Sequence, residues 1–296
     1  MSQFLINPYS LAKDWLLDTY TGAAGAYAVR RLSGSYAGAC LRVRRSNDNT
    51  EQDIGFDAGG NLDEAQLTAF VGANSGFVTT WYDQSGNGRN ITQTTSGNQP
   101  RIVNSGTVDK EGGRPTLIFD GSNDSFLGST AVDPLFITVV NTINTTAAFK
   151  TILGADATDV SPTVRVGSFY FQYSTPTRSP AFGRTTTVDT TVATDFIATG
   201  SQISNNTRVL MTGTRSTTAI EVFINSASAG TDTTSSALRS VGGVDSGKPR
   251  IGAGYYSDTV VDFFPGNIQE IVLYTSDQTA NRSAIETAIN GYYSIY

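Results

Sequence analysis

From Phe77 to Tyr274 the chain is a succession of short apolar runs, each broken by Gly, Ser, Asn or Asp. The runs are Phe77–Tyr82, Pro115–Phe119, Leu135–Val140, Val164–Tyr173, Arg208–Thr212, Ile220–Ile224, Arg250–Gly254 and Ile268–Tyr274. They are strand-length, and no helical segments alternate with them, so they predict an antiparallel sandwich and not βα units. Upstream, the stretch from Ala39 to Arg45 alternates apolar and basic side chains. That spacing predicts a strand with Cys40, Arg42 and Arg44 on one face and Leu41, Val43 and Arg45 on the other. A further strand is expected over Tyr27–Leu32, after a lead-in of small residues from Gly22 to Ala26. No fixed-period repeat is visible, which removes propellers and solenoids.

Two helices punctuate this pattern. Asn61 followed by Glu64 has the form of a capping box ahead of Ala65–Val71. Near the C-terminus, Ile285, Ala288, Ile289 and Tyr292 recur at helical spacing, as in a short helix laid on a sheet by one face. Residues 1–20 read as an extended arm, since Pro8 interrupts the apolar residues and Leu11, Trp15 and Leu16 offer only a short amphipathic turn. The arm docks either on its own domain or on a neighbour; residues 21–296 form the sandwich.

Composition narrows the chemistry. Hydrophobic residues make up 39% and charged residues 16% of the 296, which suits a turn-rich β protein. A net charge of −6 argues against a phosphate-binding surface, so nucleic acid is not an expected partner. Histidine is absent and Cys40 is the single cysteine, which excludes a Ser-His-Asp triad, a His/Cys zinc site and an internal disulfide. No cofactor is expected. The N-terminal residues lack the pattern of a signal peptide and no stretch reaches the length of a membrane span, so synthesis and folding in a cytoplasm are expected, with no membrane insertion. Arg30, Arg31, Arg42, Arg44 and Arg45 are followed closely by Asp48, Glu51, Asp53 and Asp57, which favours internal ion pairing over anion binding.

Two segments resemble known families. Trp81-Tyr-Asp-Gln-Ser-Gly-Asn-Gly-Arg-Asn90 is similar to the Tyr-Asp-Gln-Ser-Gly motif of the catalytic domain of family 54 α-L-arabinofuranosidases, with an upstream Ala-Tyr-x-Val-Arg-Arg-Leu stretch at 26–32 and Gln99-Pro-Arg-Ile-Val downstream. Gly266–Tyr274 with the helix behind it resembles the closing strand and helix of laminin-G-like and concanavalin A-like domains, and Phe119-Asp-Gly fits the same pattern. The resemblance implies an all-β, antiparallel jelly-roll sandwich. Physically, Asp83 and Ser85 accept from nearby backbone N–H groups, and Gly86 and Gly88 supply a sharp reversal, which accounts for the motif without a ligand. The alternative makes Trp81, Tyr82 and Arg89 a sugar platform. Asp120 and Asp124 flank Gly121 as Ca²⁺ candidates or as turn caps.

A retaining glycosidase needs two carboxylates about 5 to 5.5 Å apart. The resemblance implies a nucleophilic Glu on a mid-domain strand and an acidic Asp shortly before the closing strand. The first counterpart here, Val164–Tyr173, has no carboxylate, and Asp258 is displaced from the expected place of the second. Of the six glutamates, Glu64 and Glu286 belong to predicted helices, Glu51 and Glu111 to polar loops, and Glu221 begins a strand, which leaves Glu270 with Asp258 as the best pair. Sugar binding asks less of the chain. Tyr255, Tyr256, Phe263 and Phe264 flank one loop and suit a glycan, whereas Phe169, Phe171 and Tyr173 share a strand face that reads as core.

The reading reached from sequence is a non-enzymatic virion surface protein, a capsid decoration, head-fibre or tail-fibre component similar to those of tailed phages. It would assemble in a host cytoplasm and attach to other virion proteins through its arm. Its lectin-like sandwich would face host cell-surface glycans, and it would form a homo-oligomer such as a homotrimer. The alternatives are an arabinofuranosidase-like glycoside hydrolase and a free carbohydrate-binding lectin.

Overall fold

A computed structural model describes residues 14–145, 147, 149–156, 169–174, 179–184, 196–198, 202–216, 219–233, 247–256 and 259–296. In chain order the first strands are β1 (Ala23–Ala28), β2 (Leu41–Arg45), β3 (Glu51–Ile54), β4 (Gly76–Trp81), β5 (Ile91–Thr92) and β6 (Arg101–Asn104). They continue with β7 (Thr107–Val108), β8 (Lys110–Glu111), β9 (Arg114–Pro115), β10 (Leu117–Asp120), β11 (Phe126–Gly128) and β12 (Phe136–Ile143). Next come β13 (Lys150–Asp156), β14 (Phe169–Ser174), β15 (Ser179–Arg184), β16 (Phe196–Ala198), β17 (Arg208–Arg215) and β18 (Ile220–Ile224). The last are β19 (Ala227–Asp232), β20 (Lys248–Ile251), β21 (Gly254–Tyr256), β22 (Thr259–Val261) and β23 (Pro265–Tyr274). Among the described residues three α-helices accompany them: α1 (Leu16–Thr19), α2 (Glu64–Val71) and α3 (Arg282–Tyr293).

Every strand pairing is antiparallel, as the short runs with turn residues between them require. One layer runs β3-β2-β4-β5-β11-β20-β13-β14-β15-β16. The other runs β19-β18-β17-β12-β23, with β1 and β10 sharing the far edge of β23. Strand β6 pairs with both β10 and β4 and joins the layers at one corner. The core lies between the layers, where Trp81, Phe126, Leu153, Phe171 and Tyr173 meet Phe119, Val139, Met211, Ile271 and Leu273. The expected strand face of Phe171 and Tyr173 is core; the part of the predicted run from 164 to 168 lies outside the described residues.

A second apolar cluster covers the outer face of the β12–β23 layer, where Phe136, Val140, Val272 and Tyr274 receive Ile285, Ile289 and Tyr293 of α3. Each such side chain contributes about 1.5–3 kcal/mol when fully buried. The buried stripe is 285, 289 and 293, so Ala288 is exposed and Tyr292 half-buried, contrary to the sequence spacing. Leu16 and Leu17 belong to the same cluster, and the Leu17 N–H donates to Leu32 O at 2.9 Å. The described part of the arm, from residue 14, therefore docks on its own sandwich.

Two expectations for the N-terminal third are corrected. The first strand is Ala23–Ala28 and not Tyr27–Leu32: its six residues are all buried, and small side chains fit where β1 is enclosed on both faces. Helix α2 starts on Asp63, whose carboxylate accepts the Gln66 N–H at 2.9 Å. Asn61 is unavailable as a cap because bridges Arg30↔Asn61 and Phe56↔Leu62 hold residues 61 and 62 extended. Arg42 and Arg45 pair with the acids that follow them as expected, with Asp53 at 2.8 Å and Asp48 at 2.6 Å, whereas Arg30 pairs with the distant Glu270 at 2.6 Å and Arg44 bonds the neutral Gln99 at 2.7 Å. Cys40 is fully buried, and burial pushes its thiol pKa well up.

Candidate functional site

The Asp-Gln-Ser-Gly turn follows β4 and clasps β1. Asp83 Oδ1 accepts the N–H groups of Ala26 and Ser85, both at 2.9 Å, while Oδ2 accepts the Ser85 hydroxyl at 2.7 Å and the Arg89 N–H at 3.0 Å. Gln84 bridges outward: its Oε1 accepts from Leu32 N at 2.8 Å and its Nε2 donates to Arg30 O at 2.9 Å. Gly86 and Gly88 reverse the chain at φ 87° and 68°. The proposed sugar platform is not built here. Trp81 is fully buried between Tyr27 and Phe126, with ring centroids 6.1 and 6.3 Å away. Arg89 donates to Ala24 O at 2.8 Å, and the half-buried Tyr82 donates its hydroxyl to Asp53 at 2.7 Å. Alternation sends Trp81 inward, and the clasp turns Arg89 toward β1.

Asp120 and Asp124 close the turn between β10 and β11. Asp120 Oδ1 accepts from Ser122 N at 2.8 Å and Asn123 N at 3.1 Å, and Asp124 Oδ2 accepts the Asp120 N–H at 2.9 Å. These oxygens accept from backbone N–H groups, so both residues act as the turn caps that stand as the alternative to Ca²⁺ candidates in the sequence. Among the described residues no cluster of His, Cys, Asp and Glu suits a metal. Burial lifts the Asp124 carboxyl to about 6, with a smaller push from the Asp120 charge.

Glu270 is on β23 with its carboxylate toward α3 and is 1% exposed. Arg30 holds it bidentately, Nε to Oε2 at 2.6 Å and Nη2 to Oε1 at 2.9 Å. The same guanidinium lies 4.7 Å from the centroid of Tyr292 and 5.6 Å from that of Tyr293. Asn61 Oδ1 accepts from Tyr292 Oη at 2.8 Å and from Arg114 Nη1 at 3.2 Å, extending the network to the α2 side. Under a helix and neutralised by an arginine, Glu270 has no access to a substrate; its expected partner Asp258 lies outside the described residues.

The other glutamates are committed too. Glu286 is fully buried with Arg282 and the Ser226 hydroxyl, Glu64 pairs with Lys110 at 2.8 Å, and Glu111 accepts from Asn267 at 2.9 Å. Glu51 faces Arg42 at 3.9 Å and Glu221 accepts from Thr231 at 3.5 Å. Glu51 and Glu111 are on strands β3 and β8, where cross-strand pairing and not a loop positions them.

The outer face of the β13–β14 region carries a hairpin. Strand β13 pairs with β14 on one edge and, over Leu153–Asp156, with β20 on the other, and the β21–β22 hairpin packs on it with Ala253 and Gly254 over Gly154. Gly254 permits the close approach, since a Cβ there would stand 3.0 Å from Thr151 Oγ1, whereas one on Gly154 would be in ordinary contact at 3.5 Å from Ala253 O. Beneath it, Thr151 and Gln172 are buried and bonded at 3.2 Å, opposite in parity to the core residues Phe171 and Tyr173. The hairpin backbone carries Tyr255 and Tyr256 on β21. Phe263 is half-buried on the return, whereas Phe264 stacks on Tyr173 in the core. Two non-glycine residues beside the hairpin adopt left-handed backbone, Phe149 at φ 54° and Asp262 at φ 55°. Such strain costs about 1–3 kcal/mol per residue and concentrates at sites that need a fixed geometry. No sequence signal marks Phe149, because positive φ at an aromatic residue is a product of its neighbours. Of the sequence candidates, the structure groups Tyr255, Tyr256 and Phe263 and places Trp81, Tyr82, Arg89 and Glu270 elsewhere.

Residues 18–117 match the family model "Alpha-L-arabinofuranosidase B, catalytic". Among curated proteins, a probable α-L-arabinofuranosidase B of Aspergillus flavus is 38% identical over 70 residues and the α-L-arabinofuranosidase B of Emericella nidulans is 39% identical over 70 residues. In each case the match spans 23% of this chain and 14% of the relative's length. A solved arabinofuranosidase complexed with arabinofuranosyl-α-1,2-xylobiose superposes with a TM-score of 0.64 at 18% identity, over 93% of this chain and 64% of that one. A family 54 α-L-arabinofuranosidase soaked with a cyclic sulfate inhibitor gives 0.63 at 16% identity with the same coverage. The all-β sandwich is thereby shared along almost the whole chain. These matches overturn the virion reading and the virion location, since the likeness runs to fungal arabinofuranosidases and not to phage decoration or fibre proteins. The lean away from an enzyme finds no support, because the matched model is a catalytic domain.

Proposed function

We propose that this chain is the sandwich domain of an α-L-arabinofuranosidase-type glycoside hydrolase, which takes arabinofuranosyl groups at the face beside the β21–β22 hairpin. The observation that carries the reading is the match of residues 18–117 to an arabinofuranosidase catalytic model. That segment contains the Asp83 clasp, which secures β1 against the closing strand.

Glycoside hydrolysis uses two carboxylates, one protonating the leaving oxygen and the other acting as nucleophile or base. None of the six glutamates lies on β13, β14 or the hairpin, and each has a partner elsewhere. The pair in this chain is therefore drawn from aspartates, a departure from the glutamate nucleophile that the resemblance implies. Asp159, Asp189, Asp195, Asp245 and Asp258 are the candidates; in sequence they stand in the connections next to β13–β16 and β20–β22, outside the described residues.

Release of nitrophenol from 4-nitrophenyl α-L-arabinofuranoside tests the reading. Turnover is expected in the unaltered chain and is expected to disappear in two of the five single Asp→Asn variants. A folded chain that binds arabinan yet releases nothing would be a carbohydrate-binding module instead.

A further inference from the structure

Among the described residues two large apolar side chains are exposed, Tyr296 and Phe149, the latter at 47%. Tyr296 sits by the end of α3, its hydroxyl 2.8 Å from Ser226. Phe149 is held in the open. The connection from β12 to β13 is pinned at both ends to the return from the hairpin: Asn144 N donates to Pro265 O and Thr151 N donates to Asp262 O, each at 2.9 Å. Phe149 thus stands at the same end of the sandwich as Asp262 and Phe263. Its backbone is left-handed, a conformation that a bulky side chain adopts only when its surroundings impose it.

We propose that Phe149 is a sugar-stacking residue at the rim of the hairpin site, binding a neutral saccharide ring of the polysaccharide chain next to the arabinofuranosyl group. The inference deepens the glycoside hydrolase reading and rests on it for the location of the cleft. A sugar ring has an apolar C–H face and a polar edge, and Phe149 offers an open aromatic face with Lys150 and Asp262 beside it. A protein partner is a poorer fit, since stable interfaces bury about 800 Å² per side around a cluster of apolar residues. Here Phe149 is a single exposed ring, and the other exposed large apolar side chain among the described residues, Tyr296, lies by the end of α3.

The test uses three variants of the full chain. Phe149→Ala removes the ring; Phe149→Asn removes it while suiting the left-handed backbone; Phe149→Tyr keeps it. Binding to soluble arabinan and arabinoxylan is read by retardation in affinity gels, alongside hydrolysis of 4-nitrophenyl α-L-arabinofuranoside, which has no polysaccharide to stack. Phe149→Ala and Phe149→Asn are expected to weaken polysaccharide binding about tenfold, with Phe149→Tyr like the unaltered chain. A folded Phe149→Asn variant that binds both polysaccharides at full strength would overturn the proposal. So would self-association of the chain that vanishes with the ring, because Phe149 would then be a protein contact. If no variant turns over the aryl substrate yet binding still follows the ring, the hydrolase reading fails and the stacking role stands.

Discussion

Asp83 receives three backbone N–H groups and one hydroxyl on its two oxygens, and it is 3% exposed. Removing an acceptor strands buried donors at about 1–3 kcal/mol each. Asp83→Ala is accordingly expected to lower stability by roughly 3–5 kcal/mol, read as a shift in urea midpoint with an unchanged slope. Asp124 contributes the opposite sense of pH dependence from an ordinary paired carboxylate. Its folded-state pKa of about 6 stands above the 3.8 of the unfolded chain, so the folded state binds the extra proton between those values. Stability is then greatest below about pH 4 and falls as pH rises through about 6. The shift sets an upper bound of about 3 kcal/mol on the change. Facing the carboxyl, the Asp120 N–H bond and the Arg101 charge oppose the rise, and the Asp120 charge adds to it. In Asp124→Asn, denaturation midpoints between pH 4 and pH 7 are expected to lose this component, since the amide oxygen still accepts the Asp120 N–H.

At the scale of elements, the Arg30–Glu270 pair ties β23 to the segment after β1 beneath α3. Breaking one partner of a buried pair typically costs about 3–5 kcal/mol, while replacing both with apolar residues is near neutral. Glu270→Gln and Arg30→Met are each expected to destabilise by that amount, and the Arg30→Met/Glu270→Leu double variant to recover most of it in thermal denaturation. A catalytic Glu270 would instead lose turnover at unchanged stability. The strands with clear alternation were legible in the sequence; Ile220–Ile224 coincides with β18. Strand β1 was not, because Ala and Gly have low strand propensity and serve here through their small size. The start of α2 was displaced by bridges to distant segments, which no local capping rule contains. The burial of Trp81 and the neutralisation of Glu270 depend on β1, α3 and β23 meeting across more than 200 positions, so side-chain type alone misplaced both.

In the whole molecule the two layers differ in their outer faces. The outer face of the β12–β23 layer is covered by α1 and α3, whereas the other layer is packed by α2 at β3 and by the β21–β22 hairpin at β13. The family likeness was legible in the Trp81–Asn90 segment, but the virion assignment was drawn from fold analogy and location, neither of which is a property of a site. Strand β23 sits in the middle of its layer, paired with β12 on one edge and with β1 and β10 on the other. It is also later in the chain than every strand it joins. A ribosome therefore delivers β1, β10 and β12 before the strand that each of them pairs with, and the layer closes only once β23 has emerged. Closure of this layer is a late step of high contact order, and the nascent chain that still lacks β23, not the finished sandwich, is where chaperone protection matters most.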